Sequence, residues 1–299
     1  SFSIPQAVSK IMSERIAFKR YRDAQRVFKG ALLYAVIAGG IAALVCIFGA
    51  SILVPDNMAN ARLALQMLAP TIFVSGILGV FRGYFQAYRN MLPTSISQIL
   101  EQIAVATVAL LASGFMVHHF ANAGEDTLQR WSAAGATMGT GAGVCTAFLF
   151  MLFVYRVNHK TIAKKIKNDR VSVNESYRSI MKIILLIAAP IILSAFIYNV
   201  NGYINGVMYT SILGWKGVSN SLVKQNYAEY GFFMTLINIP LTLASTAPTS
   251  MMPEVSAQYA IGDLEETKRK IDQATWIAML ISIPASVGLA VLAQPVTRL

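Results

Sequence analysis

The chain has 299 residues, of which 55% are hydrophobic and 13% charged, with a formal net charge of +11 and a mean hydropathy of +0.54. A soluble domain carries about 25% charged residues, so a soluble enzyme is excluded. Nucleic-acid binding is excluded as well, because the basic residues sit in short connections between apolar runs and form no continuous basic face.

A helix needs about 20 apolar residues to cross a bilayer. In chain order, residues 1–9 read as the end of a helix, and complete spans are predicted at about 31–54, 67–88, 93–117, 131–155, 180–209, 228–252 and 274–296. The first span, 31–54, contains no charge, and Pro55-Asp56-Asn57 is predicted to end it. Cys46 and Cys145 fall inside spans, where they read as small packing residues, and no disulfide or metal spacing is present. Gly79/Gly83 and Gly135/Gly139/Gly143 recur at a spacing that allows close helix contact. The segment 118–130 reads as a short outer loop, with Trp131 as an interfacial aromatic opening the next span. Residues 156–178 form the longest polar connection and the expected boundary between two helix groups. With no signal peptide and a start in what reads as a helix end, the sequence is expected to be a piece of a longer protein.

Charge gives the orientation. Of the 25 basic residues, 20 fall on every other connection: within 1–30, around Arg82 and Arg89, within 156–182, and at Lys268, Arg269 and Lys270. The positive-inside bias places these connections on the cytoplasmic side. Two of them look alike. Ile4-Pro5-Gln6 and a charged amphipathic stretch precede the span at 31, and Met252-Pro253-Glu254 and another such stretch precede the span at 274. Parallel repeats of this kind build several transporter folds. Lys19 and Arg20 stand where Gly262 and Asp263 stand in the second copy, so the two copies differ at the turn itself.

Polar residues inside hydrocarbon must face protein or water. The second span carries Ser75, Gly79, Arg82, Gly83 and Gln86 as one stripe, and the third carries Thr94, Ser97, Gln98, Glu101 and Gln102 at i, i+3, i+4, i+7 and i+8. Arg82 and Glu101 fall at similar depth on the same side and are placed to pair. Such a pair would serve as a structural lock between neighbouring helices or as a charged wall of a cytoplasm-facing cavity, with Arg82 alone reaching to the interface as the third reading. The fifth span presents Ser194, Tyr198, Asn201 and Asn205, and the sixth presents Thr235, Asn238, Thr242, Ser245, Thr246 and Thr249. Pro190, Pro240 and Pro248 interrupt these two spans. Kinked helices lined with amides and hydroxyls suggest an aqueous cavity, with hydrogen bonding between helices as the alternative. Catalytic constellations are absent, so no enzymatic activity is expected.

AVSKIMSERIAFKRYRDAQRVFKGAL (7–32), LAPTIFVSGILGVFRGYFQAYRNMLPTSISQILEQI (68–103) and PEVSAQYAIGDLEETKRKI (253–271) carry a resemblance that covers essentially the whole chain. The sequence resembles the SpoVB/MurJ-like polysaccharide exporters of the multidrug/oligosaccharidyl-lipid/polysaccharide flippase superfamily, and within it the YtgP-type lipid II flippases. The resemblance implies an all-α, two-lobe bundle of the MATE/MurJ type, present here in part. Residues 1–160 would run from the end of helix 2 to helix 6 of the N-lobe, 161–178 would connect the lobes on the cytoplasmic side, and 179–299 would supply helices 7–9 of the C-lobe. It further implies a multi-pass protein of the bacterial plasma membrane that flips undecaprenyl-pyrophosphate-linked oligosaccharides by alternating access. Arg82, Gln86, Gln98, Glu101, Gln102, Asn201, Asn205 and Asn238 are the candidate substrate-pathway residues. No cofactor is expected; H⁺, Na⁺ or the membrane potential stands open as the driving force. The expected partners are the lipid-linked substrate and the bilayer, with no nucleic acid, and a monomer when full length. A cation antiporter of the same superfamily and a non-transporting scaffold for a cell-wall enzyme complex are the alternatives. The scarcity of acidic residues inside the spans, Glu101 apart, favours an anionic substrate.

Overall fold

The computed structural model describes residues 3–53, 61–120, 124–173 and 175–294. Among these residues every regular element is helical: α1 (Ser3–Ala17), α2 (Tyr21–Phe48), α3 (Ala50–Leu53), α4 (Ala61–Ala87), α5 (Leu92–His119), α6 (Glu125–Lys167), α7 (Tyr177–Trp215), α8 (Asn220–Ala260) and α9 (Leu264–Val291). Seven of them are long and apolar enough to cross a membrane. The protein is therefore an all-α polytopic membrane protein. Pro55-Asp56-Asn57 lies outside the described residues; α2 ends before it, at Phe48, with Gly49 as its cap.

Burial is inverted relative to a soluble protein. Leu110, Phe153 and Val287 lie exposed on the helix surfaces, while Asp23, Arg82 and Ser97 are buried. Hydrocarbon solvates the first group and cannot hydrogen-bond the second, so the charged side chains turn toward protein.

Hydropathy marks only the apolar part of a helix, and several helices run well past it: α2 begins at Tyr21 and α9 at Leu264, each ten residues before the expected span. Residues 156–167, expected as polar connection, continue α6 as helix, so among the described residues the irregular stretch narrows to 168–173 and 175–176. With 43 residues, α6 is about 65 Å long at 1.5 Å per residue, roughly twice the ~30 Å hydrocarbon core. In the same way α7 reaches Trp215, and α8 runs unbroken from Asn220 to Ala260 with Pro240, Pro248 and Pro253 inside it.

The chain forms two compact units, 1–186 and 187–299. In the first, α1 and α2 pack on α4, and α6 packs along both α4 and α5. The glycine spacings serve these contacts. A Cβ on Gly83 would sit 2.8 Å from the Pro5 carbonyl oxygen of α1, and one on Gly139 would sit 2.5 Å from Ala109 Cβ and 2.6 Å from its backbone nitrogen in α5. Phe28 (α2), Phe81 and Tyr84 (α4) and Tyr155 (α6) form an edge-to-face and stacked cluster where these three helices meet, with ring centroids 4.7–5.5 Å apart. Cys145 points outward from α6, so it is not the packing residue expected, whereas Cys46 is half-buried. Trp131 lies within α6 and stacks on Phe120 at 5.2 Å.

In the second unit α8 packs on α9, and Tyr209 of α7 stacks on Tyr230 of α8 at 5.5 Å. The hydroxyl stripe of α8 turns inward on its own helix. Thr235, Thr242, Ser245, Thr246 and Thr249 each donate to a carbonyl three or four residues earlier. Hydrogen bonding between helices, one of the two expectations for this stripe, is replaced by local back-bonding.

The two connectors that look alike in sequence close in the same way. After α1, Lys19 N–H donates to Ile16 O and Arg20 N–H to Arg15 O; after α8, Gly262 N–H donates to Tyr259 O and Asp263 N–H to Gln258 O. This is the paired closure of a Schellman cap. Both copies place the residue at its centre at positive φ: 58° at Lys19 and 83° at Gly262.

Candidate functional site

A further cap of this kind positions the charged pair. Arg89, at φ 59°, donates from its N–H to Gln86 O, and Asn90 N–H donates to Phe85 O. The Asn90 side chain then accepts from Leu92 N–H at 3.3 Å, and Pro93 opens α5 where a missing N–H costs nothing. This tight turn reverses the chain, so that Arg82, five residues before the end of α4, meets Glu101, nine residues into α5.

Arg82 Nη2 lies 2.6 Å from Glu101 Oε2, and Arg82 Nε donates to Ser97 Oγ at 2.9 Å. Ser97 Oγ in turn donates to Thr94 O at 2.7 Å. Little water reaches the pair: the side chains are 7% and 17% exposed. Its charges compensate each other, which weakens the pull of the guanidinium on an incoming anion. Gln86 is buried one turn closer to the end of α4, whereas Gln98 is half-buried and Gln102 exposed on α5. In the second unit Asn201, Asn205 and Asn238 are all exposed. Of the eight candidates, the structure thus brings Arg82 and Glu101 into contact, with Ser97 as a second acceptor for Arg82.

A larger charged network was not evident from the sequence. It ties the turn between α1 and α2 to the 168–176 segment, within the first unit. Asp23, fully buried, accepts from Arg20 Nε at 2.9 Å and from the backbone N–H groups of Val173 and Glu175 at 3.1 and 3.0 Å. Glu175 accepts from both Arg15 and Arg20, and its carbonyl accepts from Arg26. Asp169 accepts from the Ser172 hydroxyl and from the N–H groups of Arg22, Val171 and Ser172. Burial opposes ionisation of Asp169, but these four donors outweigh it and hold the carboxyl well below the usual carboxylate range. The basic residues that set the orientation are thus partly consumed in fixing this connection. Three isolated acids inside two basic stretches were the available signal.

Among the described residues no group of His, Cys, Asp and Glu could hold a metal ion. Comparison with known proteins decides the relationship. The profile of the family described as lipid II flippase MurJ matches residues 8–299. The chain belongs to that family. Stage V sporulation protein B of Bacillus subtilis (strain 168) is 25% identical to it over 306 residues, covering 99% of this chain and 56% of that protein. Lipid II flippase MurJ of the same organism is 22% identical over 309 residues, covering 99% of this chain and 55% of that protein. An uncharacterised membrane protein, YabM, also from that organism, is 22% identical over 295 residues. The chain therefore spans about half the length of these curated relatives. No solved structure matches. Family membership and seven span-capable helices make this a multi-pass protein of the plasma membrane.

Within the MurJ family frame the Arg82–Glu101 pair and the Asp23–Asp169–Glu175 network occupy different places. The first joins two consecutive span-capable helices, α4 and α5. The second joins two connections rich in basic residues.

Proposed function

We propose that the full protein moves undecaprenyl-pyrophosphate-linked oligosaccharide across the plasma membrane by alternating access, supplying peptidoglycan or another surface polysaccharide. The observation that carries this reading is the family match over residues 8–299, supported by relatives named as a lipid II flippase and a sporulation protein. The polar faces of α5, α7 and α8 (Gln98 and Gln102, Asn201 and Asn205, and Asn238) are the groups proposed to meet the substrate in each unit. Arg82 and Glu101 are proposed to hold α4 and α5 together at the inner end of that path.

The pair also weighs against a cation antiporter. A carboxylate that exchanges cations must be free to bind them, and Glu101 is already engaged by a guanidinium at 2.6 Å. The deciding experiment reconstitutes the full-length protein in liposomes and compares flipping of lipid II with uptake of a cationic dye. Lipid II movement without dye uptake is the expected result. Dye uptake driven by an ion gradient, with lipid II immobile, overturns the proposal.

A further inference from the structure

The extension of α6 beyond the hydrocarbon core does more than carry positive charge. Asn158, Thr161 and Lys165 share one helix face, at i, i+3 and i+7. That face lies over the end of α4 and the turn after it, forming an open pocket of about 220 Å³ with Tyr84, Tyr88 and Asn90. The remaining lining is apolar, and no carboxylate borders the cavity. It is smaller than the roughly 300–1,000 Å³ of drug-sized sites, so it suits a headgroup-sized fragment and not an oligosaccharide.

Its chemistry is that of an anion receptor. Lys165 Nζ stands 5.1 Å from the centre of the Tyr88 ring and 6.0 Å from that of Tyr21. These aromatic faces hold the ammonium over the cavity, and none of the ion pairs among the described residues engages it. Asn90 spends its Oδ1 on Leu92 N–H, which leaves its amide N–H groups as donors. Asn158 uses one N–H on Val154 O and keeps the other. The Tyr84 hydroxyl is buried beside Tyr88 without reaching hydrogen-bond geometry to any described group. The cavity therefore offers one cation and several neutral donors to a compact group rich in acceptors. Asn158 and Thr161 lie about 5–9 Å past Tyr155 along α6, where the apolar part of the helix gives way to polar residues.

We propose that this cavity binds a phosphate group carried on a small polyol, with Lys165 as counter-ion and Asn90, Asn158 and Thr161 as donors. An inner-leaflet phosphatidylglycerol headgroup and soluble glycerol phosphate both present that chemistry. The site is separate from the Arg82–Glu101 pair and stands whether or not lipid II is the cargo.

The test places the full-length protein in phosphatidylcholine nanodiscs and titrates phosphatidylglycerol or glycerol 1-phosphate, reading melting temperature and, by native mass spectrometry, bound ligand. Saturable stabilisation by phosphatidylglycerol alone assigns the site to lipid, and saturation by glycerol phosphate assigns it to a soluble source. In either case Lys165→Gln should weaken binding about tenfold, while Lys164→Gln, which changes a cation outside the lining, should not. Asn158→Leu changes an exposed position, so it should weaken binding without lowering the melting temperature of the ligand-free protein. Equal effects of Lys164→Gln and Lys165→Gln would reduce the site to diffuse surface attraction and overturn the proposal. So would the absence of saturable binding to either ligand.

Discussion

The role of the Arg82–Glu101 pair is open to a double-mutant cycle. Removing one partner of a buried ion pair strands the other, at a cost of about 3–5 kcal/mol. Exposure sets where each change falls. Arg82→Met leaves a Glu101 side chain that is still 17% open to solvent, whereas Glu101→Met strands a guanidinium that is 7% open. We expect about 3 kcal/mol for the first and nearer 5 kcal/mol for the second. At roughly 2 °C per kcal/mol for a chain of this size, melting temperatures in detergent should fall by about 6 and 10 °C. Arg82→Met/Glu101→Met restores an apolar contact of similar volume and should return to within about 1–2 kcal/mol of the parent. If the double substitution costs the sum of the two singles, the side chains are not coupled and the structural argument fails. Transport gives the second reading. A lock predicts that the full-length double variant still flips lipid II. Lost flipping with the melting temperature retained would make Arg82 a substrate contact instead.

Gly139→Ala would force a methyl group to 2.5–2.7 Å from Ala109 backbone and Cβ atoms, and should cost about 1–3 kcal/mol; Gly40→Ala, with nothing within 4 Å, should be neutral or better in the same melting assay. Lys19→Gly relieves a side chain held at φ 58° and should stabilise by up to about 1 kcal/mol, while Gly262→Ala should lose a similar amount. Asp169 has a depressed folded-state pKa, so its contribution to stability is complete above the unfolded carboxylate value near 4 and is lost progressively as pH falls from there through the lower folded-state value. Melting curves from pH 7 to pH 3 should therefore steepen in the acid range for the parent and flatten for Asp169→Asn.

Local physics was readable in the sequence and distant partnership was not. The seven spans announce themselves because about 20 apolar residues have few other uses. The Arg82–Glu101 contact was legible because only 19 residues and one turn separate the two, and helix rise fixes their depth. Helix ends were misread for the opposite reason. Beyond Tyr155 the sequence is polar, yet its lysines, with Arg156 and Ala163, propagate a helix in water as well as an apolar run does in lipid. The Asp23–Glu175 network stayed hidden because its partners lie 152 residues apart, and nothing local in either stretch names the other. Cys145 shows a further limit: hydropathy places a residue inside a span without saying which way it faces.

The difference between the two similar connectors shows how one backbone shape can rest on different residues. Both turns need a residue at positive φ followed by the start of a helix. The second copy solves this locally. Gly262 takes the left-handed conformation without steric cost, and Asp263 caps α9 by accepting from Glu266 N–H at 3.0 Å. The first copy has Lys19 and Arg20 there, the strained choice at one position and a residue that makes no capping bond at the other. Its compensation comes from elsewhere in the chain. Arg20 binds Asp23 and Glu175 at once, and Asp23 also accepts from the 173 and 175 backbone. The first turn is therefore held by the segment that leads into α7, whereas the second holds itself. It follows that Glu175→Gln should loosen the first connector, raising amide exchange at residues 16–24, and leave residues 258–266 unchanged. Equal loosening of both would mean that the first turn, too, is fixed by its own residues.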